Sequence, residues 1–478
     1  MEQRIDTGHL REQFVQQATE LLRRHKLAEE AMHRREPPGP ERVQDLVRRR
    51  ELDELQHELD RQHPADVAYI LEALPLEQRL IVWDLVKADR DGEILLEVSD
   101  AVRETLIAHM DEKELVAATE QLDTDEIADL APDLPREVIQ DVFRSLSVEE
   151  REQLRAAMSY DEDSVGALMD FDMVEVREDV TLEVVLRYLR RLDEMPDHTD
   201  KLFVVDREGS LQGLLPINRL LVSLPEALVS DVMVRDFVRF QPRENAQDAA
   251  AAFERYDLVS APVADDDGRL VGRMTVNAVV DYIRQAQDTE ILSAGGLRGD
   301  EDLFASVWKS VKNRWTWLAV NLVTAFIASR VIGAFEHSIA QLVALAALMP
   351  IIAGIGGNSG NQTITMIVRA LALGQITREN ARNLFMKELG VSVLNGLIWG
   401  SVVGLFAFLI YHNWALGIVM TAAMLLNLLL AAVMGVSIPL LMEKLGRDPA
   451  VGSSVLITAI TDSGGFFIFL GLATVFLV

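Results

Sequence analysis

Hydrophobic positions divide the chain into two regimes. After Arg314, apolar residues run through five stretches, roughly 315–334, 339–370, 384–411, 415–441 and 452–477. About 20 apolar residues in helical form cross the hydrocarbon of a bilayer, so five membrane spans are predicted. Upstream the pattern is shorter and periodic. Between residues 42 and 160, the stretches LDRQHPADVAYILEALP, HMDEKELVAATEQLDTDEIADLAPDLP and LSVEEREQLRAAM predict short amphipathic helices broken by turns. Such helices stack into a small superhelix that buries their Leu/Ile/Val faces. Between 165 and 290 a unit of roughly 60 residues occurs twice: Phe203-Val-Val-Asp-Arg-Glu-Gly209-Ser-Leu-Gln-Gly213 lines up with Pro262-Val-Ala-Asp-Asp-Asp-Gly268-Arg-Leu-Val-Gly272. Each copy predicts strand, acidic turn with Gly, strand, then helix. Residues 290–314 read as a connector helix entering the membrane. The first 40 residues read as a mixed-charge helical extension, set off by Pro37, Pro38, Gly39 and Pro40.

Charge follows the same division. From Glu301 onward there are ten Lys/Arg against eight Asp/Glu, which leaves 36 against 67 in the first 300 residues of a chain whose net charge is -29. So acidic a region repels nucleic acid and favours cations or basic proteins as partners. Cysteine is absent, which removes disulfides, thiolate metal sites and cysteine nucleophiles. The start, MEQRIDTGHLREQF, lacks the apolar core of a signal peptide, so the front part is expected in the cytosol. Lys309, Lys312 and Arg314 precede the first span, Arg378, Arg382 and Lys387 lie between the second and third, and Lys444 and Arg447 between the fourth and fifth. Short loops rich in Lys/Arg stay inside, which predicts a cytosolic amino terminus and an outside carboxyl terminus.

Two features interrupt the apolar part. The second stretch contains Pro350 followed by four Gly, Asn358, Asn361 and Gln362. Pro and Gly weaken a helix, and lipid cannot satisfy amide groups, so a break lining a cavity is expected. A kinked packing helix with Asn bonded across an interface is the other reading; the bunching of the polar residues favours the cavity. The last stretch contains Asp462, read as the only carboxylate deep in a span, beside Gly464 and Gly465. An ionised carboxylate there costs several kcal/mol unless it meets water, a proton or a cation, and a cation pathway is the simplest compensation. Gly396, Gly400 and Gly404 repeat every four residues and read as a helix-packing stripe. An ion-coupled carrier would also use a lone membrane Asp. An intramembrane aspartic protease needs two carboxylates sharing a site, and a membrane-anchored sensor needs neither the break nor the charge.

The repeat resembles tandem CBS domains, with Leu168-Met169 and Val232-Met233 opening the two copies. Where that family binds adenine nucleotides through a Ser/Thr and an acidic residue three positions on, this chain has Pro216 with Arg219 and Thr275 with Ala278, which counts against ATP. The whole order of segments, with Gly357-Asn358-Ser359-Gly360-Asn361-Gln362, Asp448-Pro449 and Thr458-Ala-Ile-Thr-Asp462, resembles the MgtE family of magnesium channels. The resemblance implies a multidomain membrane protein: an extension (1–40), an all-α superhelical N domain (41–164), CBS domains (165–226 and 227–289), a connector or plug helix (290–314) and a five-helix pore domain (315–478). It implies a homodimer in the inner membrane of a bacterium, carrying Mg²⁺ inward down the membrane potential and shut by cytosolic Mg²⁺ bound between acidic faces. It also implies metal ligands at Asp462, Asp448, Asp125, Asp129, Asp281 and Glu290, and pore-lining Asn358, Asn361, Gln362, Thr458 and Ser454. Mg²⁺ holds its water tightly and prefers hard oxygen donors, which suits such a site. At 278, 286 and 289, where relatives are acidic, this chain has Ala278, Ala286 and Thr289. That departure implies a weaker shut-off or one moved to carboxylates such as Asp265 to Asp267, and Ser454-Val455 departs from the usual inner mouth.

Overall fold

The computed structural model describes residues 15–16, 19–20, 22–23, 52–192, 194–297, 301–372, 375–376, 380–446, 449 and 452–478. Asp448, Arg378, Arg447 and the Pro37–Pro40 break lie outside the described residues. The chain forms two compact units, Met1–Ala286 with Asp302–Ala305, and Gln287–Glu301 with Ser306–Val478.

The first unit opens with short helices: α1 (Pro64–Ala73), α2 (Leu76–Trp83), α3 (Asp91–Glu97), α4 (Asp100–Ile107), α5 (Glu112–Thr119), α6 (Thr124–Leu130), α7 (Arg136–Ser145) and α8 (Val148–Ala157). Their brevity is written in the caps. Reciprocal capping boxes join Asp111 to Glu114, Asp123 to Glu126 and Ser147 to Glu150, so each start satisfies otherwise orphaned N–H groups. The apolar faces meet in one core that includes Val67, Leu71, Val82, Leu95, Leu106 and Leu130. One charge enters that core. Arg79 is fully buried, donates to the carbonyls of Leu71 (2.8 Å) and Leu74 (3.2 Å), and forms a two-pronged pair with Asp302 (2.7 and 3.2 Å).

The repeat then appears as β1 (Glu175–Arg177), α9 (Leu182–Leu189), β2 (Lys201–Val205), β3 (Leu211–Pro216), α10 (Ile217–Val222), α11 (Val229–Val232), α12 (Ala246–Tyr256), β4 (Ser260–Ala264), β5 (Leu270–Thr275) and α13 (Val276–Ala294). Strand β2 pairs parallel with β1 and antiparallel with β3; β4 pairs antiparallel with β5. Both hairpins shift register at equivalent places, Val204/Val205 and Val263/Ala264, and both turn at a glycine of positive φ, Gly209 and Gly268. The copies exchange their opening residues. Met169 lies in the core of the second copy against Gly272, and Met233 lies in the core of the first against Gly213.

The second unit contains α14 (Val307–Ala334), α15 (Glu336–Gln341), α16 (Ala344–Ala372), α17 (Ala381–Tyr411), α18 (Trp414–Lys444) and α19 (Ser453–Phe476). Four of these, α14, α17, α18 and α19, are long and apolar enough to cross a membrane. The expected fifth, α16, has the length but is less apolar because of its Gly, Asn and Gln residues. Helices α17 and α18 form an antiparallel pair along the predicted glycine stripe. A Cβ on Gly396 would meet Leu425 Cδ1 at 2.6 Å, one on Gly400 the Thr421 carbonyl at 2.9 Å, and one on Gly404 the Gly417 carbonyl at 2.5 Å.

Two expectations need correction. The stretch from Pro350 to Gln362 is not broken: α16 runs continuously through it. Gly356 and Gly360 serve close approach, since a Cβ on Gly356 would lie 2.2 Å from Asn427 Nδ2 and one on Gly360 2.4 Å from Ile457 Cγ1, and packing from both sides holds the backbone helical despite low propensity. Nor is 290–314 a single connector helix. α13 ends at Ala294, and α14 starts at Val307 behind the N-cap Ser306. Gly296 has φ +75°, which stops the helix, and its missing Cβ leaves room for the Trp317 indole, 1.6 Å from where that atom would sit.

Candidate functional site

The membrane unit presents one polar face. On α19 the buried positions recur every four residues, Ser453, Ile457, Thr461, Gly465, Phe469 and Ala473. Offset by one residue, Ser454, Thr458 and Asp462 form a second row at the same spacing that is only partly covered. The Thr458 hydroxyl donates to the Ser454 carbonyl (2.8 Å). Asp462 is half-buried and makes no ion pair or hydrogen bond with any described residue. On α16, Asn358 and Gln362 are exposed, one turn apart, while Asn361 is half-buried with its Oδ1 buried and unpartnered. Contacts between the two helices fix their register. Gly357 faces Thr461 (Oγ1 at 3.7 Å from a built Cβ) and Gly360 faces Ile457, so the helices run antiparallel. Asn358 therefore lies within about a turn of the level of Asp462, and Gln362 near that of Ser454 and Thr458. Both rows turn away from the interior of the helix bundle at the middle of long apolar helices, where lipid would leave their polar groups unsatisfied.

Sequence reasoning missed a second carboxylate. Glu388 on α17 is 6% exposed and accepts from the Thr363 hydroxyl of α16 (3.3 Å). Asp462 is thus not the only carboxylate sunk among these helices. The signal was present: Glu388 and Ser392 extend the Gly396–Gly400–Gly404 stripe backwards at the same four-residue spacing. Lys387 beside it made the residue read as part of a charged helix end.

In the first unit, carboxylates converge where α6 meets the CBS pair. Asp125 is half-buried, and its Oδ1 is buried without a donor. Burial, and then the negative field of Asp170, push its carboxyl up to about 8. Asp129, with Asp100 and Asp281 nearby, is raised to about 6, mainly by burial and against the pull of Arg103. Asp170 and Asp281 are also raised, chiefly by burial. Asp123 is raised by burial and by Asp172 and Asp197, and Asp91 is lifted to about 7 by burial, Glu114 and Asp89. One cation is already committed: Arg273 pairs with Asp170 (2.7 Å) and donates to the Asp197 carbonyl (2.8 Å). Asp125, Asp129 and Asp281 are therefore brought into one acidic region, and Asp170 joins them unpredicted. Among the described residues no three His, Asp or Glu side chains close on one point as a metal cage. Glu290 is exposed on α13 and belongs to the other unit. Asp265 is engaged in its own turn, its carboxylate accepting from the N–H groups of Asp267 (3.0 Å) and Arg269 (2.8 Å). The Thr275 hydroxyl accepts the Ala278 N–H (3.4 Å).

Known proteins align with this layout. Family models described as the MgtE intracellular N domain, the CBS domain and the MgtE divalent cation transporter match residues 62–163, 229–285 and 349–472. A magnesium transporter MgtE of Thermus thermophilus is 30% identical over 444 residues, covering 91% of this chain and 98% of the relative. The chain belongs to the MgtE family. The MgtE of Bacillus subtilis is 26% identical over 438 residues, 91% of this chain and 97% of its own. Among solved structures, the cytosolic domain of the Mg²⁺ channel MgtE in complex with ATP is 29% identical, with a TM-score of 0.45, over 50% of this chain and 98% of that one. At the positions compared with a CBS nucleotide site, this MgtE chain has Pro216 with Arg219 and Thr275 with Ala278.

Proposed function

We propose that this protein carries Mg²⁺ into the cytosol along a path lined by α16 and α19, and that cytosolic Mg²⁺ bound to the acidic region of its first unit shuts that path. The row of Asp462, Thr458 and Ser454 opposite Asn358 and Gln362, with the Asp462 carboxylate unpartnered among the described residues at membrane depth, carries this reading. A polar face on the outside of a helix bundle must be covered by something wetter than lipid. A second copy of the chain covers it, so the working form is a homodimer with five spans per chain, a cytosolic amino terminus and two Asp462 groups facing one ion in the inner membrane. Two carboxylates balance one divalent charge. Amide and hydroxyl oxygens on either side accept hydrogen bonds from an ion that keeps its water, which holds it without the grip of an all-carboxylate cage. Inward movement of two charges gains roughly 4.6 kcal/mol per 100 mV, so no chemical coupling is needed. In the first unit Asp125, Asp129, Asp170 and Asp281 fit a regulatory cation: the Asp125 Oδ1 is orphaned, and the carboxyls are raised first by burial and, at Asp125 and Asp129, further by neighbouring carboxylates. Bound there, Mg²⁺ would replace repulsion by bridging. Asp448 and Glu290 complete the proposed ligands, and the segments 1–40, 41–164, 165–226, 227–289, 290–314 and 315–478 its division of labour.

Mg²⁺ influx into dye-loaded proteoliposomes under an inside-negative potential tests the path. Wild-type protein passes Mg²⁺ without a proton gradient, and Asp462→Asn lowers the flux at least tenfold. Equal flux through both proteins would remove Asp462 from the path, and flux that needs a proton gradient would favour the carrier. Titrating Mg²⁺ on the cytosolic face, with and without ATP, reads the set point of closure and any nucleotide effect on it.

A further inference from the structure

At the centre of the membrane unit lies a side chain the transport reading does not use. Asn427 is the fourteenth of 31 residues of α18 and is completely buried. Its Nδ2 donates to the Ile352 carbonyl of α16 (3.0 Å). Only the amide nitrogen can donate to a carbonyl, so this contact fixes the orientation of the side chain and makes the other atom the oxygen. That Oδ1 is buried and receives no hydrogen bond from any described residue. The amide fills two notches cut by glycines. A Cβ on Gly356 of α16 would lie 2.2 Å from Nδ2, and one on Gly465 of α19 would lie 2.7 Å from Nδ2 and 3.1 Å from Oδ1. Gly465 is one helical turn from Asp462, and Gly356 is half a turn from Asn358.

Packing alone does not account for this choice. Leu has the same branched side-chain skeleton as Asn, carries no desolvation cost, and surrounds this position in the sequence as Leu425, Leu426, Leu428 and Leu429. A lone amide whose acceptor finds no protein donor is an expensive filler in an apolar bundle. It is instead a strut of fixed length between the two helices that carry the polar rows, with one hard oxygen left over at the level of the carboxylate. We propose that Asn427 is a positioning residue for the ion path: its amide sets the separation and register of α16 and α19 at mid-membrane, and so the fit of Asp462 and Asn358 around the hydrated ion. The proposal rests on the transport reading. It extends that reading to a residue placed to tune how tightly the ion is held without touching it.

Asn427→Leu keeps the branched skeleton, adds bulk and removes donor and acceptor; Asn427→Asp keeps the shape and removes the donor. Gly471→Ala, where an added Cβ meets nothing within 4 Å, is the matched control on α19. The measurement is Mg²⁺ influx into dye-loaded proteoliposomes as a function of external Mg²⁺, with melting temperature and elution profile of the full-length protein alongside. The expected result is that at least one Asn427 variant elutes and melts like the control yet shifts the half-saturating Mg²⁺ concentration threefold or more, with or without a change in maximal flux. A purely structural role would lower maximal flux by lowering the number of working molecules and leave half-saturation in place; that outcome overturns the proposal. So does loss of assembly in both variants, which would make the amide a packing element. A wild-type protein that passes no Mg²⁺ removes the transport reading and this one together, whereas unchanged half-saturation in the variants removes this one alone.

Discussion

Asp125 shows how a residue can be tuned by neighbours that the sequence places far away. Its carboxyl is pushed from an ordinary 3.8 up to about 8, so between these values the folded protein holds a proton that the unfolded chain has released. A group with a raised pKa stabilises the fold fully below its unfolded value and ceases to do so as pH rises through its folded value. Asp129 and Asp91, raised to about 6 and about 7, act in the same direction. With chelator present, the melting temperature of the first unit is therefore expected to fall between pH 5 and pH 8.5. Mg²⁺ at pH 8.5 should recover much of the loss, because a bound cation replaces the proton. Asp125→Asn should flatten the fall above pH 6 and blunt the Mg²⁺ response. A wild-type melting temperature that rises over this range would contradict the burial of these carboxylates. Legibility at this scale was uneven for a physical reason. Asp462 announced itself because nothing charged lies near it in sequence, and Asp125 and Asp129 came from the family resemblance. Glu388 and Asn427 were overlooked: one sits beside Lys387 at a span end, the other is a single amide in a long run of Leu and Ala. Their meaning lies in what faces them, Thr363 for one and two glycines for the other, and those partners are remote in sequence.

At the scale of elements, periodicity and caps located the helices well, and three-dimensional contact decided the rest. The five apolar stretches became long helices, and the roughly 60-residue repeat returned as two hairpins with matching register shifts. The unbroken course of α16 was not legible, since local propensity argues against a helix there and only the facing Asn427, Ala431 and Ile457 explain Gly356 and Gly360. The exchange of Met169 and Met233 between CBS cores was equally hidden, because a repeat in sequence says nothing of which copy receives each opening segment. The buried pair Arg79–Asp302 gives an element-scale prediction. It joins α2 to a segment 223 residues later in the chain, four residues before the N-cap of α14. Removing one partner of a buried, fully bonded ion pair strands the other, at a cost of about 3–5 kcal/mol. Arg79→Met and Asp302→Ala should therefore each destabilise the first unit by about that amount in denaturant unfolding. The double variant should cost less than the sum, because no charge is left stranded. Additive losses would show that the two residues act independently.

The whole molecule is organised by the separation of charge from apolar surface. The first 300 residues carry 36 Lys/Arg against 67 Asp/Glu, and the remainder is close to neutral. Such an excess opposes the compact state through self-repulsion, and around α6 neighbouring carboxylates add to the larger effect of burial in raising Asp125 and Asp129. Two kinds of cation relieve it differently. Monovalent salt screens charges farther apart than a Debye length of about 10 Å at 0.1 M, but it does little for carboxylates already crowded together. A divalent ion can sit among them and bridge. Resistance to limited proteolysis should consequently rise with millimolar Mg²⁺ and change little when NaCl is added to the same ionic strength. Protection should centre on α6 and the CBS repeat, and Asp125→Asn with Asp129→Asn should remove most of it while leaving the Asp462-dependent flux at low cytosolic Mg²⁺ intact. Equal protection by NaCl would mean that diffuse screening, and not a bound ion, governs the first unit. Regulation by Mg²⁺ would then have to be sought at Glu290 and the segment leading into α14.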